Sequence, residues 1–128
     1  QLGYDLTNLI NDVMTLRSNK FNVVRYKLDL EFNDFSDIEK LTLNDHNYIE
    51  CHIKVSNDFE RRNYKNFHFS KNSKDVDYYF YNGRCRDRAN LSEFIDTFNQ
   101  IISDTGSTSV HREYTVYDSN INHDRKWA

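Results

Sequence analysis

Apolar residues recur along this chain with two different periods. Leu6, Leu9, Ile10, Val13 and Met14 follow the i, i+3, i+4, i+7, i+8 spacing that lines one face of a helix, and Asp5 stands where it can cap the free N–H groups at its start. Leu91, Phe94, Ile95, Phe98 and Ile102 repeat the stripe in a second helix, with Asn90 as cap and Glu93 at the capping-box position. Elsewhere the period drops to two. Val24, Tyr26, Leu28, Leu30 and Phe32 alternate with Arg25, Lys27, Asp29 and Glu31, which predicts a long strand with one buried and one wet face.

Further along, "SDIE" at residues 36–39 fits a capping box with Ser36 as N-cap, and predicts a single helical turn. A strand is predicted over residues 48–55, where Ile49, Cys51, Ile53 and Val55 share one phase and Glu50, His52 and Lys54 the other. "FHF" and "VDYYFY" flank the polar "SKNSKD" and read as a hairpin, which Asn82-Gly83, tolerant of positive φ, is expected to end. "RCRDRAN" then reads as a basic loop before the second helix. "SDTGSTS" closes that helix, and a last strand begins near Val110.

The predicted order is helix, four strands, helix, strand, with short links that favour antiparallel neighbours among the middle four. Two helices do not cover both faces of a five-stranded sheet. We therefore expect a single α+β domain over residues 1–128: a two-layer sandwich of about five mostly antiparallel strands, with both helices on one face and Leu9, Val13, Phe94 and Phe98 buried together. The place of the last strand, beside the first, the second or an outer one, is open at this point.

That packing leaves one sheet face bare. With Val110, Tyr114 and Val116 toward the helices, His111, Glu113, Thr115 and Tyr117 fall on the bare face with Arg25, Lys27, Glu50, His52, Lys54, His68, Tyr79 and Tyr81. Any half-solvated antiparallel sheet shows a similar alternation, because cross-strand charges pair and Tyr is a good strand former.

Composition narrows the classes. A chain of 128 residues with 38% hydrophobic and 15% aromatic side chains has the apolar material for one folded domain. The formal net charge of −3 argues against a general binder of nucleic acid or anionic membrane. No apolar run approaches the roughly 20 residues that span a bilayer. Gln1 in place of Met is expected of a chain whose start has been removed, so this end says nothing of localisation. Two cysteines, Cys51 and Cys85, are too few for a disulfide scaffold and read as reduced thiols of a cytoplasmic protein. With no Pro and 3 Gly, the turns fall to Asn and Asp.

Two functions fit the bare face. One is docking: Tyr79, Tyr81 and Tyr117, with Tyr48 and Trp127, suit an interface whose energy sits in aromatic anchors, and His111 joins them. The protein would then bind and neutralise a protein partner, in the manner of an immunity, anti-defence or viral accessory protein, and its charge would favour a basic one. Arg84, Arg86 and Arg88, in the loop before the second helix, are candidates for holding an anion.

The alternative is a metal-independent, toxin-like ribonuclease. His111, Glu113 and His52 would move the protons, while Arg84, Arg86, Arg88 or Arg112 clamps the phosphate. Imidazole suits that work because its ordinary pKa, about 6.5, lies near working pH.

No cofactor or metal is expected. Cys51 and His52 point to opposite faces of one strand, which spoils a zinc site with His46, and three glycines build neither a phosphate loop nor a dinucleotide fingerprint. "NLS" at Asn90 matches a glycosylation sequon but is better explained as a helix cap.

Overall fold

A computed structural model describes residues 5–19, 25–71 and 74–119 of the chain. The protein is an α+β fold of two helices and one five-stranded antiparallel sheet. Helix α1 spans Leu6–Ser18, strand β1 Lys27–Glu31, β2 Tyr48–Ser56, β3 Phe67–Lys71, β4 Tyr78–Cys85, helix α2 Leu91–Thr105 and β5 Val110–Asp118. Spatially the strands run β1-β5-β2-β4-β3.

The last strand therefore lies between the first and the second. β4 and β5 both flank β2 and both run antiparallel to it, so they are parallel to each other and need a crossover. α2 is that crossover, and the route from β4 to β5 carries it over the centre of the sheet. Its buried side chains, Leu91, Phe94, Phe98 and Ile101, meet Ile49, Cys51 and Ile53 of β2 and the ring of Phe67 on β3. Phe94 stacks on Phe67 with ring centroids 5.0 Å apart, and Phe98 meets Phe35 edge-on at 5.3 Å. Gly106, in the left-handed region at φ 65°, ends the helix.

α1 contributes less than its stripe predicts. Asp5 caps it through a reciprocal bond with Asn8, and it rests against β1, but Val13 is its one buried side chain and belongs outside the central cluster. Ile10, Met14 and Leu16 stay exposed. The helical half of the core is thus supplied by α2.

Other local expectations shift for identifiable reasons. β1 begins at Lys27, and Val24 lies outside the described residues. The turn after it is a 3₁₀ helix at Phe35–Ile38 capped by Asp34, whose carboxylate accepts from Ser36 N; Ser36 is inside the turn. Asn82 and Gly83 do not end β4, which continues to Cys85. Asp87 caps a short 3₁₀ turn at Arg88–Asn90, and Asn90 makes no side-chain capping bond to α2.

Candidate active site

Register defines the sheet face opposite α2, the one expected to be bare, row by row. One row runs His111, His52, Asn82, His68 across β5, β2, β4 and β3. The next runs Glu31, Glu113, Glu50, Arg84 across β1, β5, β2 and β4. On the other side of the histidine row, Phe80 stands between Lys54 and Ser70. His52 and His111 are therefore directly opposed, a relation that puts Cβ atoms roughly 4.5–5.5 Å apart. Glu113, two residues along β5 from His111, brings Oε1 to 3.6 Å from His52 Nε2.

Each imidazole is oriented from its Nδ1 side. His52 Nδ1 lies 2.6 Å from Asn82 Oδ1, and Asn82 Nδ2 donates to Ser70 Oγ at 2.7 Å. With the amide nitrogen committed to Ser70, the amide oxygen accepts from His52, so Nδ1 carries a proton and Nε2 is the ring nitrogen that faces Glu113. His111 Nδ1 sits 3.2 Å from Glu31 Oε1, leaving its Nε2 to solvent. Burial, and next the charge of Asp29, push the Glu113 carboxyl above its ordinary pKa. Glu113 and the His52 ring nitrogen facing it stand 3.6 Å apart, near neighbours just beyond hydrogen-bond distance. These groups border a shallow depression of about 600 Å³ that Lys54 and Phe80 also line.

Beside the depression the face is sealed by paired charges. Glu50 accepts from Lys27 Nζ at 2.6 Å and from Arg84 Nε at 3.2 Å. Burial pushes the Glu50 carboxyl up, but the bonds from Lys27 and Arg84 outweigh it and hold the group below the usual carboxylate range. The ring of Tyr48 is fully buried with the Arg84 guanidinium 4.4 Å from its centroid, and its hydroxyl donates to Asp118 Oδ2 at 2.6 Å. Arg25 Nε donates to Asp118 Oδ1 at 3.0 Å.

Several predicted site residues lie elsewhere. Tyr79 and Tyr81 are core residues on the helix side of β4, opposite Val55 and Ile53, with hydroxyls donating to the carbonyls of Phe59 and Arg62. Burial pushes Tyr79 up to about 12. Tyr117 is turned over by a β-bulge: Leu28 pairs with Tyr117 but Asp29 with Thr115, so Val116 is the extra residue and the phase reverses after it. Asp118, paired with Lys27, takes the bare face, while Tyr117 stacks on His46 with centroids 5.1 Å apart.

The arginines do not form one anion loop. Arg84 is inside β4 on Glu50, Arg86 lies over Tyr48 with Asp45 4.0 Å away, and Arg88 donates to the carbonyls of Glu39 and Leu41. Arg112 faces the helix side, 4.9 Å from the Phe98 centroid. Lys54 is the cation bordering the depression. Trp127 lies outside the described residues.

Cys51 and Cys85 are both free and buried, and burial raises both thiols. An exposed Cys85 is what a loop at residues 84–88 would have meant, but Cys85 ends β4. Among the described residues no group of three His, Cys, Asp or Glu side chains is arranged to hold a metal, and no helix is long and apolar enough to cross a membrane. Asn82, Ser70, Glu31 and Lys54 complete the site. Asn82 and Glu31 share the phase of neighbours already assigned to the bare face, and that parity is the signal that finds them. No known protein family, curated protein or solved structure matches the chain.

Proposed function

We propose that the protein is a metal-independent ribonuclease whose active site is the His52, His111 and Glu113 cluster. One observation carries the reading: two histidines directly opposed on neighbouring strands, each held at Nδ1 by an acceptor, with a carboxyl 3.6 Å from one of them on the sheet face opposite α2. Cleavage through the neighbouring hydroxyl needs a base, an acid and a cation. The His52–Glu113 pair takes the 2′-hydroxyl proton, and the 2′-oxygen attacks phosphorus. His111, its imidazolium supported by Glu31, gives a proton to the departing 5′-oxygen. Lys54 meets the non-bridging oxygens. A 2′-O–P bond forms, the P–O5′ bond breaks, and the products are a 2′,3′-cyclic phosphate and a 5′-hydroxyl. The acidic balance of the chain lowers long-range attraction for RNA but leaves this local chemistry intact.

The test is incubation with RNA in excess EDTA, with mass analysis of the ends. Cyclic phosphate that disappears in both His52→Ala and His111→Ala is expected, at a cost of about 10²–10⁴ in rate for each. Intact RNA across pH 4–9, or metal-dependent products, overturns the proposal.

Binding and neutralising a protein partner is the second reading, with a different anchor from those the sequence suggested. An apolar groove of about 520 Å³ between Phe59, Phe69, Val76 and Tyr78 leaves Tyr78 and Val76 exposed near the β3–β4 connection. A stoichiometric partner lost on Tyr78→Ala, together with no cleavage of RNA, would favour it.

A further inference from the structure

Phe80 has no role in the proton transfers, yet it lines the same depression as the two histidines. It stands directly across the ladder from Lys54 and diagonally from His52. Diagonal neighbours on a sheet face are about 7–8 Å apart, a gap that one nucleotide bridges from phosphate to base. The ring is half-buried, so part of its surface is exposed beside the depression. Its flanking partners are small or turned aside. On β3 it meets the small Ser70, whose hydroxyl is already engaged by Asn82, and on β2 the flexible Lys54 leans away over the Tyr78 ring at 4.3 Å.

Resting on the ribonuclease reading, we infer that the substrate is single-stranded RNA, with the base beside the scissile phosphate stacked on Phe80 and the phosphate against Lys54. A base inside a duplex is stacked on its neighbours and presents no face to a protein ring, whereas splayed bases of single strands stack on aromatic side chains. The chemistry points the same way. The attacking 2′-oxygen must come in line with the departing oxygen, and the regular backbone of an A-form helix holds the 2′-hydroxyl away from that line. A shallow, open site suits a strand that lies across the sheet.

The probe is fluorescein-labelled 2′-O-methyl RNA, which has no free 2′-hydroxyl and is not cleaved, as a single strand and as a hairpin of the same composition. Anisotropy titration is expected to show the single strand bound and the hairpin about ten-fold weaker. Phe80→Leu, which keeps the apolar volume and removes the ring, should weaken the single strand by about 5- to 150-fold, the worth of one base–aromatic stack. Phe80→Trp should retain or tighten binding, and thermal melts check that both variants fold. Equal binding of strand and hairpin, no binding of the strand, or wild-type affinity in Phe80→Leu overturns the inference. The two proposals fail separately: ring-dependent binding without cleavage of ordinary RNA removes the ribonuclease reading, and cleavage with Phe80-independent binding removes the platform.

Discussion

The ring of Phe67 stands where a side chain on Gly83 would be. A Cβ built on Gly83 falls 2.6 Å from Phe67 Cε2, a contact real side chains do not make, and Phe67 is held from its far side by the stack with Phe94. Gly83 is thus in β4 because β3 and α2 need the space above it. Gly83→Ala should overpack this layer and destabilise by about 1–3 kcal/mol. Urea unfolding measures it, and a change under 0.5 kcal/mol would mean that Phe67 can move aside.

A buried ion pair makes the second prediction. Glu50 and Arg84 side chains are 5% and 2% exposed, so removing Arg84 takes one of two cations from a buried carboxylate and leaves it Lys27 alone. Arg84→Ala should cost about 3–5 kcal/mol. Because the folded carboxyl of Glu50 is held below its unfolded range, its stabilisation is complete above about pH 4.5 and is lost as pH falls through the folded value. Glu50→Gln should therefore flatten the acid limb of stability against pH. A limb of unchanged slope would assign acid unfolding to other carboxylates.

Glu113 has the opposite sign. Its folded pKa is raised, first by burial and then by Asp29, so the fold prefers the protonated acid and loses stability as pH rises through that value. Glu113→Gln should raise the melting temperature at pH 7 and leave it unchanged below pH 4, while lowering RNA cleavage. Loss of stability at pH 7 would show that the contact with His52 outweighs the burial of the charge.

These groups differ in how far the sequence exposes them. β2 is legible because charged or imidazole side chains at 50, 52 and 54 alternate with apolar ones at 49, 51, 53 and 55, and its two faces follow that phase. β4 is not, since Tyr78 and Phe80 on one phase and Tyr79 and Tyr81 on the other are all aromatic, and tertiary packing chooses between them. β5 reads correctly as far as Thr115, until the extra residue at Val116 reverses it. Asn47, donating to the Val116 carbonyl, secures the bulge from a loop distant in sequence. The opposition of His52 and His111 depends on α2 crossing over β2 to deliver β5 on its far side, and no local pattern encodes that route. The burial of Tyr79 and Tyr81 in the core also removes two of the three strand tyrosines that docking would need.

The last prediction concerns salt. Arg84, Arg86 and Arg88 are engaged with Glu50, with Tyr48 and Asp45, and with loop carbonyls, which leaves Lys54, on its flexible stem, as the lysine or arginine bordering the depression. A protein that neutralises one phosphate of a single strand releases about one counterion, so log affinity should fall with log salt at a slope near −0.7, far shallower than that of a binder using many cations. Lys54→Gln should bring the slope toward zero, leave His52 and His111 in place, and reduce kcat/KM mainly at low salt. Titrations of the wild type and of Lys54→Gln between 20 and 300 mM KCl decide it. A wild-type slope steeper than about −2 would require a basic surface beyond this depression, and a slope unchanged in Lys54→Gln would remove Lys54 from the phosphate.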